Sequence, residues 1–293
     1  MSSALLRSRI EVRDAIERLS RAADLRYGDS LIEVELGPSG LWGTVALSSQ
    51  AAELRRRMAE LWPEGRCRLL VLAARRPRVG LYPESEPLNI WRRRPDRDLL
   101  PPELTTQLLP GDPPAGLLAV RDGQYLVKAP GDAVGWVHRN SRYRLGKAKP
   151  ADPAGMAVVP RSGWDPELVR ETAVSLLGRP FVLGGTGGLG IDCSGLSWRA
   201  FLSAGVRLPR NSRAQRRVGE RVPLAQLAEL DLICAVHRGP KRTSHVALYL
   251  GQNEVIHACS ECHQVLREPL AEFRERYQVL SVRRVPGAVR SSR

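Results

Sequence analysis

Cysteine, histidine, aromatic side chains and long apolar runs are all scarce in this chain of 293 residues, and each shortage excludes something. The five cysteines (67, 193, 234, 259 and 262) form an odd, sparse set, which argues against a disulfide framework and leaves at least one free thiol. No apolar run approaches the length of a membrane span, so no spanning helix is expected. The start, M-S-S-A-L-L-R-S-R-I-E, lacks the apolar core of a secretion signal, and Glu11 and Asp14 follow soon after. The expected location is therefore the cytoplasm, with the cell envelope or the extracellular space as the alternative. Aromatics make up only 5% of the chain, and the arginine knots at Arg55 to Arg57 and Arg92 to Arg94 have none interleaved. A groove for single-stranded nucleic acid has little support, and no nucleic-acid partner is expected.

What the chain does contain is enough apolar residue, 43%, for two or three cores. Its 26 glycines and 22 prolines imply many turns and short strands rather than a helical bundle. The formal net charge of +14 suits anionic surroundings or partners, or simply a solvated basic surface.

Taken in order, residues 1–76 read as a small α/β unit. A helix runs from Ile10 to Leu19, and strands at Leu31–Leu36 and Leu41–Leu47 flank the turn Gly37-Pro-Ser-Gly40. A helix capped by Ser48 or Ser49 continues through Leu61 to Pro63 and Gly65, and a strand follows over Arg68–Ala73. This αββαβ order resembles the BON domain, a module associated with membranes or peptidoglycan. In residues 77–148, short apolar stretches at Leu88–Trp91, Thr105–Gly111, Gly116–Val120, Tyr125–Lys128 and Gly135–His138 predict a small barrel. The T-Q-L-L-x-G and G-W-V-H pieces resemble bacterial SH3-like domains that precede cell-wall peptidases, a setting that makes Trp136 a barrel-core residue. Residues 149–164 read as a linker. The last unit, 165–293, opens on Asp165-Pro166 as N-cap and first helical residue. Its first helix carries Leu168, Val169, Ala173, Leu176 and Leu177. Helices first and antiparallel strands afterwards make it an α+β domain.

Within that domain, residues 178–197 read G-R-P-F-V-L-G-G-T-G-G-L-G-I-D-C-S-G-L-S. The glycine run delivers Cys193 to the first turn of a helix, where unpaired N–H groups favour a thiolate. The same glycines would suit a phosphate, but no Lys-Ser/Thr follows them. A thiol nucleophile needs a base, and the base needs an orienting partner. Of the five histidines (138, 237, 245, 257 and 263), His245 leads the strand H-V-A-L-Y-L and His257 lies one hairpin later. His245 is thus a candidate base and His257 its orienter, with a satisfied structural histidine as the alternative for either.

The order G-R-P-F-V-L-G-G, D-C-S-G-L, L-P-R-N-S-R-A-Q, H-V-A-L-Y-L-G and V-I-H-A resembles the NlpC family of papain-like cell-wall peptidases. The resemblance implies a helix bearing Cys193 packed on an antiparallel sheet. It further implies Cys193 as nucleophile, His245 as general base and acid, and His257 as the third polar residue. Asp192 and Ser194 match positions that hold a substrate's amine and backbone, although helix capping would also explain Asp192. Phe181, Arg210 and Ser212 fall in the motifs around the substrate. The implied reaction is cleavage of γ-D-glutamyl–diamino-acid bonds in murein peptides, in members with SH3-like domains often with a free N-terminal L-alanine. The implied partner is a murein peptide, with peptidoglycan reached through the N-terminal modules, and no cofactor is implied. Phe181 and Leu183 depart from the family's usual tyrosine and tryptophan. A barrel residue often completes the amine subsite, for which Glu84 and Glu86 are candidates. The Cys193 N–H is the natural oxyanion donor. Two other readings stay open: a non-catalytic peptidoglycan binder, and a thiol amidase or acyltransferase. The run His257-Ala-Cys259-Ser-Glu-Cys262-His263 packs four potential zinc ligands into one hairpin. It lacks a second C-x-x-C pair, so no metal is expected, and a surface hairpin with reducible thiols is the simpler reading.

Overall fold

The computed structural model of the chain describes residues 10–16, 32–45, 48–72, 77–92, 103–121, 123–138, 141–148, 159–240 and 242–288, and distributes their strands over three sheets. The first region begins with a helical stretch α1 (10–16), then β1 (Ile32–Gly37), β2 (Gly40–Val45), α2 (Ser48–Leu61) and β3 (Arg66–Val71). β1 and β2 form an antiparallel hairpin, whereas β2 and β3 run parallel, with α2 as the crossover that parallel pairing requires. Val12, Leu41, Val45, Leu54, Met58 and Trp62 close its core. The predicted helix end at 17–19, Leu31, Leu47 and Ala73 lie outside the described residues.

A second, seven-stranded antiparallel sheet has the order β10-β4-β7-β8-β9-β5-β6. Its strands are β4 (Val79–Pro83), β5 (Leu88–Trp91), β6 (Leu104–Leu108), β7 (Ala115–Arg121), β8 (Gln124–Lys128), β9 (Val134–Val137) and β10 (Tyr143–Lys147). β4 and β10 escape sequence reading, because V-G-L-Y-P carries both strand breakers and Y-R-L-G-K faces mostly solvent. Each exists by pairing with the other, Tyr143 opposite Pro83 through Lys147 opposite Val79. Trp136 is fully buried, on the face of the sheet away from the larger core. It packs with Leu118, Leu126 and Leu72, the last from the end of β3, so it seals the seam between the first two sheets. The alternate residue, Val137, points to the opposite face. Most of the predicted linker, 149–158, lies outside the described residues.

The third sheet, β11-β16-β12-β13-β14-β15, is antiparallel throughout. It is built from β11 (Glu220–Val222), β12 (Leu232–His237), β13 (Ser244–Gly251), β14 (Glu254–Cys259), β15 (Gln264–Pro269) and β16 (Tyr277–Arg284). The helices are α3 (Pro166–Ser175), α4 (Cys193–Ser203), α5 (Ser212–Gln215) and α6 (Leu270–Arg276). Asp165 caps α3 by accepting from the Glu167 N–H at 2.9 Å. Val169 and Ala173 face inward, whereas Leu168 and Leu177, expected on the buried face, are exposed. α4 buries Leu196, Trp198, Ala200 and Phe201 against the sheet. One continuous apolar core joins these residues to Leu81, Ile90, Leu108 and Val127 of the second sheet. The last two regions are therefore packed as one body.

Candidate active site

The start of α4 is fixed by Asp192. Its side chain caps the helix by accepting from the Gly195 N–H at 2.6 Å, and it also accepts from the Gly184 N–H at 2.8 Å. Two glycines allow this packing. A Cβ at Gly195 would come 2.3 Å from the Gly185 carbonyl oxygen. At Gly184, where φ is +82°, a Cβ would come 2.3 Å from the Leu104 carbonyl oxygen of β6. The glycine-dense loop is thus pressed between α4 and the second sheet, as backbone against backbone.

Arg210 sits beside Asp192 with both side chains almost fully buried, each guanidinium Nη at 2.9 Å from a carboxylate oxygen. Arg210 also donates to Ser194 Oγ (3.0 Å), to the Gly185 carbonyl (3.0 Å) and, from Nε, to Thr106 Oγ1 of β6 (2.9 Å). Asp192, Ser194 and Arg210 therefore form one buried cluster. The Asp192 oxygens already accept from Gly184, Gly195, Ser194 and both Arg210 Nη groups. Phe181 and Ser212 stand apart from it. Ser212 hydrogen-bonds Ser244 at 2.9 Å and so ties α5 to the first residue of β13. Phe181 is half-buried against the core, its N–H donating to the His263 carbonyl at 2.8 Å. Leu183 is exposed. Glu84 and Glu86 are both exposed, and Glu86 pairs with Arg142 at 3.5 Å. The side chain that the second sheet lends to the cluster is Thr106.

Cys193 is the first residue of α4, where its N–H has no acceptor within the helix. The thiol is partly exposed but crowded by protein atoms. Burial, reinforced by the Asp192 charge, pushes its pKa up to about 12, against the pull of the Val246 and Ser194 N–H groups and Arg210. The helix terminus therefore does not make a resting thiolate, contrary to the sequence expectation, and a base must remove the proton. Val246, whose N–H turns toward the sulfur, directly follows His245. The His245 ring is buried and stacks on Tyr277, with centroids 4.2 Å apart and an interplanar angle of 16°. Burial first, then the neighbouring charges of His257, His237 and Arg276, hold its pKa well below 6.5. The resting pair is a neutral thiol and a neutral imidazole.

His245 Nε2 lies 2.9 Å from His257 Nδ1. The β13–β14 hairpin brings the two rings together, with Gln252 and Asn253 both at positive φ in the tight turn and Leu248 opposite Ile256. Beyond His257 stands a residue that sequence reading missed. Glu268 Oε1 is 2.9 Å from His257 Nε2, and its other oxygen is gripped by Arg276 at the end of α6. The available signal was hairpin parity: Leu266 lies opposite His257, so Glu268, two residues on, shares its face of the sheet. Phe273, stacked on Tyr277 at 4.8 Å, completes the apolar wall around both imidazoles.

Among the described residues, no group of three His, Cys, Asp or Glu side chains is arranged to hold a metal. The turn of the cysteine hairpin is at the surface, with Ser260, Glu261 and His263 exposed and Cys262 partly so. Cys259 is fully buried and its sulfur accepts from the Cys262 N–H at 3.1 Å, while burial and the neighbouring Cys259 push the Cys262 thiol up to about 11. Both thiols are free.

Residues 178–284 match the NlpC/P60 family. Over 88 residues the chain is 39% identical to the gamma-D-glutamyl-L-lysine dipeptidyl-peptidase of Bacillus cereus, covering 30% of this chain and 26% of that protein. Over 93 residues it is 34% identical to the protein of the same name from Bacillus subtilis, covering 31% of each. The chain thus spans about a quarter to a third of the length of these relatives. The crystal structure of an NlpC/P60 family protein from Bacillus cereus aligns with 71% of this chain and 63% of its own length, at 26% identity and a TM-score of 0.39.

Proposed function

Because this chain carries a C-terminal NlpC/P60 domain, we propose that it is a cysteine peptidase hydrolysing γ-D-glutamyl–diamino-acid bonds in murein peptides. The observation that carries the reading is the hydrogen-bonded pair His245–His257 beside the strand residue, Val246, whose N–H turns to the Cys193 sulfur. His245 takes the thiol proton as sulfur attacks the isopeptide carbonyl carbon, and an S–C bond forms. The carbonyl oxygen becomes an oxyanion beside the Cys193 N–H. The C–N bond then breaks, the departing amine takes the proton from His245, and a thioester remains. Water loses a proton to His245 as it attacks, the C–S bond breaks, and the proton returns to the sulfur. Short peptides with a free N-terminal L-alanine are the preferred substrates in this reading, because the second sheet is packed directly against the glycine loop at Leu104 and Gln107.

The test is incubation of the full chain with L-Ala-γ-D-Glu-L-Lys, with the diaminopimelate equivalent, and with their N-acetylated forms, followed by mass analysis of products. Release of L-Ala-D-Glu from the free-ended peptides alone is the expected result. Cleavage of acetylated and free peptides alike would overturn the free-end preference. No cleavage by a protein that co-sediments with sacculi would replace catalysis by peptidoglycan binding.

The pH profile follows from the resting protonation state. Activity requires neutral His245, whose pKa burial has lowered, so protonation removes the base only on the acid side of 6.5. kcat/KM is expected to stay level from about pH 8 down to 6.5 and to decline only below it. A midpoint above 6.5, measured with a saturating buffer series, would contradict this assignment of the base.

A further inference from the structure

The carboxylate behind the two histidines has a consequence for which nitrogen of each ring carries a proton. Ionised Glu268 is an acceptor only. Burial alone would raise its pKa, but the hydrogen bonds from His257 and Arg276 outweigh that and hold it below its ordinary value. At 2.9 Å from that carboxylate, His257 Nε2 must carry a hydrogen. In the uncharged form of the His257 ring that hydrogen leaves the lone pair on Nδ1, facing His245 Nε2 at 2.9 Å. His245 Nε2 must therefore be the donor, which leaves the lone pair of neutral His245 on Nδ1, the nitrogen not engaged by His257.

We infer that Glu268 is a positioning residue of this site, acting through His257 to hold both imidazoles as Nε2–H tautomers and so keep the free lone pair of His245 on Nδ1, ready for the Cys193 proton. The inference rests on the peptidase reading for its kinetic part only. When His245 gains the thiol proton on Nδ1, its Nε2–H still donates to His257 and no proton has to leave Glu268. The carboxylate charge stabilises the imidazolium two rings away. Arg276 has a separate task. By occupying the second oxygen it fixes which way the carboxyl group turns, and Arg276 stays exposed enough to remain hydrated while Glu268 is buried.

This arrangement makes Glu268→Gln informative, because it is nearly isosteric. Arg276 is a donor, so it selects the amide oxygen and turns the NH2 group toward His257. His257 Nε2 must then accept, its hydrogen moves to Nδ1, and His245 is forced to carry its hydrogen on Nδ1, the wrong nitrogen for the reaction. Removing the selector by Arg276→Leu in the same chain lets the amide oxygen turn back to His257.

The experiment has two readouts. The first is nitrogen-15 NMR of histidine-labelled full chain, which needs no substrate and distinguishes the two tautomers directly. Wild type is expected to show Nε2–H at both His245 and His257, and E268Q to show Nδ1–H at both. The second is steady-state kinetics on L-Ala-γ-D-Glu-L-Lys. E268Q is expected to lose about 10³-fold in kcat with KM within a few-fold, by analogy with wrong-tautomer triads, and E268Q/R276L is expected to recover at least about tenfold of that loss. Nδ1–H at either histidine in wild type would overturn the inference, as would an E268Q protein with unchanged tautomers and unchanged kcat. If E268Q does not fold, the wild-type spectrum decides. If wild type cleaves no peptide, the peptidase reading fails while the spectra still decide the tautomers.

Discussion

Cys193→Ala is expected to bring hydrolysis of L-Ala-γ-D-Glu-L-Lys down by at least about 10⁴-fold, toward the uncatalysed rate, while leaving substrate binding within a few-fold. The reason is that the substitution removes the attacking sulfur and alanine offers no nucleophile in its place. The thiol sits on the first residue of α4 with the Val246 and Ser194 N–H groups turned to the sulfur. Alanine keeps the helix start, since the cap belongs to Asp192 and not to the cysteine. Serine is expected to fare almost as badly. The neutral imidazole that can deprotonate a thiol raised to about 12 is a poor base for the still weaker acid of an alcohol. The measurement is product release against time for purified full chain, with the unfolding midpoint recorded alongside. Turnover by C193A within tenfold of wild type would remove Cys193 from the chemistry altogether.

The second large effect is on stability. Arg210→Met is expected to cost about 3–5 kcal/mol, because it strands a buried carboxylate without its counter-charge. Arg210 and Asp192 are both nearly inaccessible, and Arg210 alone links the α4 cap, the Ser194 hydroxyl, the Gly185 carbonyl and Thr106 of the second sheet. Lysine is not a substitute, since a point charge cannot span two carboxylate oxygens and a carbonyl at once. The double variant D192N/R210M is expected to recover part of the loss. A neutral asparagine still caps the helix and needs no counter-charge. Urea unfolding of the full-length single and double variants checks this. If R210M lies within about 1 kcal/mol of wild type, the cluster is not the junction described above.

These predictions separate what could be read along the chain from what could not. The nucleophile and its two histidines were legible because each carries a local signature. Cys193 follows a glycine run and a capping aspartate, His245 opens an apolar strand, and His257 lies inside the next strand across a short turn. The strands β12 to β16 were legible for the same reason, since apolar runs and turns recur at strand length, whereas the return of β16 to pair with β12 was not. Glu268, Arg276 and Thr106 carry no such signature. Glu268 lies in Q-V-L-R-E-P, which reads as any edge strand, and only the register of β15 against β14 turns it toward His257. Arg276 closes a helix of seven residues that sequence periodicity cannot detect. Trp136 shows the same limit from the apolar side. Its burial was foreseeable, but its partner Leu72 directly follows a strand of another sheet.

The acid–base character of the site was likewise decided in three dimensions. A cysteine at a helix N-terminus suggests a thiolate, and the partial charge of the helix does favour it. The folded chain surrounds that sulfur with protein and places Asp192 beside it, and desolvation outweighs the helix terminus. Local sequence determines which residues can do chemistry and which elements carry them, because capping, turn formation and strand alternation act over a few neighbours. Packing decides what those residues face. Only the closed core sets the burial of His245, the second oxygen of Glu268 and the partner of Arg210, and so only the tertiary structure decided where the protons sit.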